Sequence, residues 1–207
     1  MLENITYNIL GEKDLPFPVE DVIKLTGLTG IHPVFEKNDN IDIQIFPYGD
    51  CVKINVTSRI LDFLQVVIYF TVKHIDNKYI RKNRIDTTNV AVNWVNAQTS
   101  QAFDRGYSFL MAEAFKDDTG TSDTFCGYIV WGKMGYIIVG PKSVKEFENL
   151  MRDQNLLHAN LHSLISTADG LALWTEKGFT WDAKFDLEEN SESFRILNAY
   201  KSQKGIV

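Results

Sequence analysis

The stretch from Gly127 to Tyr136, GYIVWGKMGY, combines residue types that suit either a cofactor site or a protein core. Tyr128 and Trp131 are three residues apart, so in a helix both side chains lie on one face. Gly135 stands where a left-handed cap would end that helix. A tyrosine hydroxyl can donate a proton, but Tyr128, Trp131 and Met134 also match the apolar face of a two-turn helix. Both interpretations therefore stay open at this level.

Histidine and cysteine spacing gives no metal site. His158 and His162 are four apart and could share a helix face, but no carboxylate or cysteine lies within a turn to complete a zinc set. Cys51 and Cys126 lack metal-ligand spacing, and two cysteines cannot form a disulfide framework in a chain of this size. We therefore expect no bound metal and a reducing compartment.

Composition narrows the classes of function. The chain has 207 residues, 44% of them hydrophobic, which is enough for one sizeable core. Its formal net charge of -6 argues against general binding to nucleic acid or membrane surfaces, because both need a basic face. The start of the chain, MLENITYNILGEKDL, lacks a basic segment followed by an apolar run. We predict a cytoplasmic protein with no nucleic-acid or membrane partner, and the oligomeric state stays open.

The first half of the chain is predicted to be rich in strands. Residues 1–40 look irregular, except for a short helix from Val19 to Leu25 that Gly27 would end. Alternating residues from Ile41 to Phe46, a PYGD turn and a second run from Cys51 predict an antiparallel hairpin. The segment Phe63 to Ile75, rich in β-branched and aromatic residues, predicts one long strand. A basic linker, KYIRKNR, follows it.

The second half is predicted to alternate between helices and strands. Apolar residues from Thr88 to Arg105 have helical spacing, and Gly106 would end that helix. The segments YSFLMAEAF, from Tyr107, and YIIVG, from Tyr136, predict strands. Ser143 and Glu146 have capping-box spacing, which predicts a helix start. The later segments LLHANLHSLIS, GLALWTEKG and FTWDAKFDL look helical and short-looped, and a last helix runs from Ser191 to Lys201.

These elements predict the class of fold. We expect an α/β (α+β) fold in which a mixed, mostly antiparallel sheet is flanked by helices. One domain would cover residues 1–207, with an irregular segment over 1–40 and a helical C-terminal extension over 143–207. Trp174 and Phe185 stand among closely spaced aromatic residues, so we predict that they are buried and attach the extension to the domain.

Two groups of residues carry a resemblance to a known family. A helix ending in glycine, the strand FLMAEA and a polar loop precede a motif formed by Gly127, Tyr128, Trp131, Lys133, Gly135 and Tyr136. The second group is Trp174, Gly178, Phe185, Asp186, Leu187, Ser191, Ser193, Leu197 and Tyr200. From about Asn93 to Tyr200 the chain thereby resembles a divergent branch of the GNAT superfamily of N-acetyltransferases. The resemblance implies a GNAT-like fold and acetyl-CoA as cofactor.

The resemblance also implies where the cofactor would bind. GNAT enzymes hold the pyrophosphate of acetyl-CoA on backbone amides of a glycine-rich loop at the start of the crossover helix. Here no glycine occurs between Gly49 and Gly106. Cations before the helix and free first-turn amides could replace part of that loop, although a solvated linker is the alternative for such a basic run. The run contains Lys78, and the candidate cofactor-binding residues are Arg81, Lys82, Arg84, Thr87, Thr88 and Asn89.

Two catalytic roles follow from the same resemblance. In GNAT enzymes a tyrosine on the helix after the central strands often protonates the departing CoA thiolate. Trp131 holds that place here, and an indole cannot act as the acid. Tyr128, one turn earlier on the same face, is our candidate acid ahead of Tyr136. Glu113, in the central strand, is the candidate base that takes a proton from the amine, with a purely structural glutamate as the alternative.

Two hypotheses of function remain. The first is an acyl-CoA-dependent N-acyltransferase that acts on a small-molecule or protein amine of unknown identity. The second is a catalytically inactive protein of the same fold that serves as a binding or interaction module. Binding of acetyl-CoA would distinguish them, because a ligand that binds only the native state must stabilise it.

Overall fold

The computed structural model describes residues 5–11, 14–30, 41–58, 61–82, 89–116, 127–156 and 160–206. Within these ranges lie eight strands, seven α-helices and a short 3-10 turn at Leu28–Gly30. The strands are β1 (Ile5–Ile9), β2 (Ile41–Tyr48), β3 (Cys51–Thr57), β4 (Leu61–Tyr69), β5 (His74–Lys82), β6 (Phe109–Ala114), β7 (Ile137–Val139) and β8 (Trp181–Asp186). The helices are α1 (Val19–Lys24), α2 (Val90–Asp104), α3 (Gly127–Lys133), α4 (Pro141–Asp153), α5 (Leu161–Ile165), α6 (Ala168–Lys177) and α7 (Glu192–Gln203).

The strands form a mostly antiparallel sheet in the order β1-β2-β3-β4-β5-β6-β8-β7, which confirms the predicted mixed α/β class. The chain divides into two compact units. The first unit comprises Met1–Leu110 with Ile206–Val207, and the second comprises Met111–Gly205. The prediction of one domain over 1–207 stays a prediction.

The predicted hairpin at the centre of the first unit is confirmed. β2 and β3 pair antiparallel, with Tyr48 opposite Cys51 across the turn. Alternate residues of both strands are buried, which is the period-two pattern of a sheet with one core face. The buried residues are Ile41, Ile43, Ile45, Val52, Ile54 and Val56.

The prediction of an irregular segment over 1–40 is wrong for part of its length. β1 pairs parallel with β2, with Ile5 opposite Ile41 and Ile9 opposite Ile45. The predicted short helix is confirmed as α1. After α1, Gly27 has a φ of 80°, and a Cβ there would lie 2.6 Å from the Trp94 ring. A strand as short as β1 has too few alternating residues to be recognised from its sequence alone. Its pairing with β2 stabilises the extended conformation.

The prediction of one strand from Phe63 to Ile75 is also wrong. The segment belongs to two antiparallel strands, β4 and β5, with Tyr69 opposite His74. No glycine, proline or asparagine marks the turn between them; instead Lys73 takes a left-handed φ of 48°. The Asp50 carboxylate stabilises this turn, accepting a hydrogen bond from the Thr71 amide at 3.1 Å and another from its hydroxyl. A long-range side-chain contact therefore provides the turn signal that the local sequence lacks.

The basic run is not a linker in its first part. Lys78 to Lys82 belong to β5, where Lys82 lies opposite Leu61 and Arg81 opposite Phe63 of β4. The basic side chains do not prevent strand formation here, because the hydrogen bonds to β4 are made by backbone groups. Arg84 lies outside the described residues.

Helix α2 confirms the prediction over Thr88 to Arg105 within two residues at its start and one at its end. Gly106, with a φ of 69°, follows it in the left-handed conformation. The helix places Gln98 in the core of the first unit, where its side-chain nitrogen donates to the Leu25 carbonyl at 3.2 Å. This contact connects α2 to the end of α1.

The prediction of an entirely helical extension over 143–207 is wrong at one element. The segment FTWDAKFDL forms β8, which pairs antiparallel with β7, and Val139 lies opposite Asp182. Trp181, Ala183 and Phe185 are buried while Asp182 between them is exposed. This alternation of buried and exposed residues has the period of two that is typical of a strand. The prediction of a helix overlooked that pattern.

Helix α4 begins two residues before the predicted capping box. Pro141 is its first residue, and Gly140 precedes it with a φ of 81°. Ser143 is buried and donates to the Asp182 carboxylate at 3.4 Å, while the Asp182 amide donates to the Ser143 hydroxyl at 3.1 Å. The serine thus connects α4 to β8 instead of capping a helix. A capping box does occur at α5, formed by Asn160 and Ser163.

Candidate functional site

Helix α3 carries the candidate acid and is built as the sequence predicts. It runs over Gly127–Lys133, and Gly135 beyond it has a left-handed φ of 93°. Tyr128 and Trp131 lie one turn apart and are only 7% and 8% exposed. The burial agrees with the interpretation of this stretch as a core helix, and it limits the access of any reactant to the Tyr128 ring.

The backbone of Tyr128 is held by two indole groups. Its carbonyl oxygen accepts a hydrogen bond from Trp174 Nε1 at 3.1 Å and another from Trp181 Nε1 at 3.0 Å. Both tryptophans are almost fully buried, so their N–H groups need a protein acceptor. Helix α3 is thereby fixed to α6 through Trp174 and to β8 through Trp181.

The side chain of Tyr128 also has specific neighbours. Its hydroxyl donates to the Thr175 carbonyl at 3.3 Å. The Trp174 ring centroid lies 6.4 Å from the Tyr128 ring, and Lys116 Nζ lies 5.4 Å from its centre. The Tyr128 hydroxyl thus donates to a neutral carbonyl while a cation lies beside the ring, which suits both a structural anchor and a proton donor.

Lys116 is a contributor that the sequence does not reveal. Its ammonium group donates to the carbonyls of Gly178 at 2.7 Å and Glu176 at 3.1 Å, at the end of α6. A cation at a helix C-terminus is stabilised by the unpaired carbonyls and by the helix dipole. The Lys116 amide donates to the Thr180 hydroxyl at 3.0 Å, which fixes the residue after β6. One lysine in a polar loop gives no sequence signal for this contact.

Glu113, the candidate base, lies on β6 between Ala112 and Ala114. Both alanines are buried, whereas Glu113 is exposed on the other face of the strand. Among the described residues no hydrogen bond or ion pair joins Glu113 to Tyr128. The two predicted catalytic residues therefore occupy different environments, one open to solvent and one nearly closed.

The candidate cofactor-binding residues are only partly described. Arg81 and Lys82 lie in β5, whereas Arg84, Thr87 and Thr88 lie outside the described residues. Asn89 is exposed at the N-cap position of α2 and makes no side-chain capping hydrogen bond. Its carbonyl accepts from the Asn93 amide at 3.0 Å, so regular helix bonding starts there. As in any α-helix, the amides of the first turn have no acceptor within the helix itself.

The aromatic residues of the extension form a core, as predicted. Trp174 and Phe185 are fully buried. Phe147 and Phe179 meet the Trp174 ring edge-on, with centroids 5.9 and 5.2 Å away. Phe185 lies 5.4 Å from the ring of Tyr136. Perpendicular pairs of this kind add to the free energy of burial, so the cluster stabilises the second unit.

The second unit also contains an open cleft of about 910 Å³ that the sequence does not predict. Its lining comes from β7, α4, α5, the segments around them and the start of α7. Most lining residues are apolar, and the Asn160 amide donates to the Glu192 carboxylate at 2.8 Å. The lining residues are Tyr136, Ile137, Ile138, Val144, Phe147, Glu148, Met151, Arg152, Asn155, Leu156, Asn160, Leu161, His162 and Glu192.

His162 lines this cleft, whereas His158, its predicted companion, lies outside the described residues. Ser166 donates its hydroxyl proton to the His162 carbonyl at 2.6 Å and lies 3.5 Å from the Nε2 atom. Over the described ranges, no group of three or more His, Cys, Asp or Glu side chains is placed to hold a metal ion.

Comparisons with known proteins identify no relative of this chain. No protein-family model matches the sequence, and neither the curated proteins nor the solved structures give a significant match. In the part of the chain that the structure describes, no helix is both long enough and apolar enough to cross a membrane.

Proposed function

We propose that the protein is an acyl-CoA-dependent N-acyltransferase with a GNAT-like fold, acting on a small-molecule or protein amine. One observation carries the proposal, namely the order of elements from β5 to β7. Strand β5, helix α2, strand β6 and helix α3 follow one another, and β6 is next to β5 in the sheet order. This is the order that the resemblance implies for the cofactor-binding half of the fold.

Two residues of the second unit have chemical roles in this proposal. The amine nitrogen attacks the thioester carbonyl carbon, a C–N bond forms and the C–S bond breaks. Glu113 accepts the proton that the amine loses, and its exposure on β6 leaves it accessible. Tyr128 donates its hydroxyl proton to the CoA thiolate. To do so it exchanges its bond to the neutral Thr175 carbonyl for one to an anionic sulfur, which is the stronger acceptor.

The cofactor would be acetyl-CoA, held through its phosphates at the start of α2. The first-turn amides of α2, which have no acceptor within the helix, would offer hydrogen-bond donors there, with Asn89 at the N-cap position. Arg81, Lys82 and Arg84 would supply positive charge in place of the glycine-rich loop, with Thr87 and Thr88 beside them. Because such contacts are largely electrostatic, the affinity should fall as salt is raised towards and beyond physiological strength, where the Debye length is about 8 Å.

A non-catalytic binding module is the second candidate, and the cleft of the second unit favours it. The cleft has a volume of about 910 Å³ and is lined mostly by apolar side chains, as ligand sites usually are. Neither Tyr128 nor Glu113 is among its lining residues. Tyr128 meanwhile has a structural role through its two indole partners. A protein of this kind would bind a ligand without transferring an acyl group.

Titration with acetyl-CoA tests the first proposal against the second. We expect acetyl-CoA to raise the melting temperature and to give measurable heat in calorimetry. Arg81→Ala with Arg84→Ala should weaken binding, whereas Lys142→Ala with Lys145→Ala, which removes two cations from exposed positions of α4, should not. Absence of heat and of a thermal shift at millimolar acetyl-CoA would reject the transferase and leave the binding module.

Release of free CoA thiol in the presence of a panel of amines then tests catalysis. Tyr128→Phe should slow turnover without changing acetyl-CoA affinity, because the acid acts only as the transition state develops. Tyr200→Phe removes another hydroxyl from the same unit and serves as its control. Glu113→Gln should also slow turnover, and Glu189→Gln, at an exposed loop position, should not. Full turnover in the Tyr128→Phe protein would remove Tyr128 from the mechanism.

A further inference from the structure

The cleft of the second unit has an apolar wall on helix α4. Val144, Phe147 and Met151 are three or four residues apart, so they lie on one face of the helix. Phe147 and Met151 are buried, whereas Val144 is 37% exposed. Ile137 and Ile138 of β7 line the same cleft and are half-buried. A ligand that covers Val144 and these isoleucines removes apolar surface from water, which favours binding.

Glu148 brings a carboxylate to this apolar wall. It lies four residues after Val144 and three before Met151, so it is on the same face of α4 and within one turn of both. Glu148 is exposed and belongs to the cleft lining. Within the described ranges, its carboxylate has neither a hydrogen bond nor an ion pair. A ligand can therefore bind this carboxylate without breaking an existing contact.

Arg152, the cation expected to pair with Glu148, binds another side chain. Glu148 and Arg152 have the i,i+4 spacing at which ion pairs form on a helix. Arg152 instead donates to the Asn149 side-chain oxygen at 2.5 Å. Glu192 adds a second carboxylate to the lining and accepts a hydrogen bond from the Asn160 amide at 2.8 Å. The described lining thus carries two carboxylates and one guanidinium, and its unpaired charge is negative.

We propose that the cleft binds an organic cation with an apolar body, whose ammonium group contacts Glu148 while the body lies against Val144 and Ile138. An ammonium group has three N–H donors and no acceptor, so it forms charge-assisted hydrogen bonds with a carboxylate. An apolar anion would be repelled by Glu148 and Glu192, and a neutral alcohol would gain no ion pair. This ligand class rests on the second candidate function, the binding module, and does not require acyl transfer.

Calorimetry with n-octylamine, n-octanol and octanoate tests the preference for a cation, because these probes have similar apolar chains and differ in charge. The amine is protonated at pH 7, as a lysine side chain is. We expect octylamine to bind roughly threefold more tightly than octanol, since an exposed ion pair adds little, and octanoate to bind more weakly than octanol. Raised salt should reduce these differences. Octanoate binding as tightly as octylamine would overturn the proposal.

Glu148→Gln tests where the ammonium group binds. It removes the charge and keeps the shape of the side chain, so octylamine should lose its roughly threefold advantage while octanol affinity stays the same. Glu146→Gln is the matched control, because Glu146 is on the same helix but is not a described residue of the lining. Its pair with Lys142, at 4.0 Å, is exposed and contributes little to stability. An unchanged advantage in the Glu148→Gln protein would show that the cation binds elsewhere on this acidic chain.

Val144→Ser tests the apolar part of the same site. Val144 is exposed, so the variant should fold, and both octylamine and octanol should bind more weakly because they cover less apolar surface. Val72→Ser, at a 55% exposed valine of the turn between β4 and β5, is the control and should leave both affinities unchanged. Equal affinities in the wild type and the Val144→Ser protein would place the site outside the cleft and overturn the proposal.

The three probes also separate the ligand class from the binding function. If none of them gives heat or a thermal shift, the cleft is not a site for molecules of this size, and the binding module fails together with its ligand class. If octanol and octanoate bind as tightly as octylamine, the binding module stands and the preference for a cation is rejected. Acetyl-CoA enters none of these measurements, so their outcome does not depend on the transferase.

Discussion

The side chains of Asn77 and Gln98 exchange two hydrogen bonds inside the first unit. Asn77 Nδ2 donates to Gln98 Oε1 at 3.0 Å, and Gln98 Nε2 donates to Asn77 Oδ1 at 2.9 Å. Both side chains are buried, Gln98 completely. Because Gln98 also donates to the Leu25 carbonyl, one amide pair connects β5, α2 and the end of α1.

Breaking this pair on one side should destabilise the first unit. Gln98→Leu leaves the buried Asn77 amide without its partner, at a cost on the order of 1–3 kcal/mol. The double variant Asn77→Leu with Gln98→Leu removes both polar groups, so its cost should be smaller than the sum of the two single variants. Urea unfolding of the four proteins measures the coupling. Strict additivity would show that the two amides do not depend on each other.

The aromatic core of the second unit can be tested with two phenylalanines. Phe185 is fully buried and Phe115 is 48% exposed. Phe185→Ala should lower the free energy of unfolding by about 3–5 kcal/mol, because it removes a whole core side chain. Phe115→Ala should cost much less, and it controls for the chemistry of the substitution. Similar thermal midpoints for the two variants would contradict the burial of Phe185 in the aromatic core.

Two glycines in the left-handed conformation allow the steric and the backbone contributions to the cost of a Gly→Ala substitution to be measured separately. Gly135 and Gly106 have φ values of 93° and 69°. A Cβ on Gly135 would lie 2.2 Å from the Ser193 carbonyl oxygen, whereas a Cβ on Gly106 would meet nothing within 4 Å. Gly106→Ala should therefore cost only the backbone term of about 1–2 kcal/mol. Gly135→Ala should cost clearly more, because α3 and α7 must also move apart, and thermal unfolding of both variants measures the difference.

The stability of the protein should fall in strong alkali because of Tyr107. Burial raises the pKa of this phenol to about 12, while the nearby Arg105 charge opposes the shift. The folded state keeps the proton between pH 10 and 12, where the unfolded chain releases it, so stability is lost as the pH rises through that window. The loss is at most roughly 2–3 kcal/mol.

Tyr107→Phe should remove this dependence. Among the described residues the Tyr107 hydroxyl has no hydrogen-bond partner, so the variant should be as stable as the wild type near neutral pH. Denaturant midpoints at several pH values between 9 and 12 compare the two proteins. Equal slopes in both would assign the alkaline loss to other groups.

The sequence predicts those elements whose signals are local. Gly106 and Gly135 end α2 and α3, as their positions indicate, because a left-handed residue favours glycine wherever it occurs. The β2–β3 hairpin is equally local, with alternation on both sides of a PYGD turn. These features depend mainly on residues that are close in sequence, so tertiary contacts do not change the conformation that the local sequence favours.

The elements that the sequence does not predict depend on distant residues. The turn between β4 and β5 is stabilised by Asp50, and β1 exists because it pairs with β2. Lys116 reaches the end of α6, and Ser143 binds Asp182 of β8. In each case the local conformation depends on a residue far away in the sequence. The hydrophobic pattern of a short segment therefore cannot predict it.

The candidate site was predictable only in part, for the same reason. Its stretch from Gly127 to Tyr136 has clear helical spacing, so the burial of Tyr128 and Trp131 follows from the pattern. The indoles that hold the Tyr128 carbonyl come from two later elements of the chain. The cleft is likewise assembled from several elements that no single motif links.

The pairing of β7 with β8 has a consequence for the order of folding. Helices α4, α5 and α6 all lie between these two strands, yet Val139 lies opposite Asp182. Helices form within about a microsecond, whereas closing so long a segment must first overcome its loop entropy. We expect the three helices to acquire amide protection early in refolding, and β7 to acquire it late. Pulse-labelling hydrogen exchange would show simultaneous protection if the strands instead pair before the helices form.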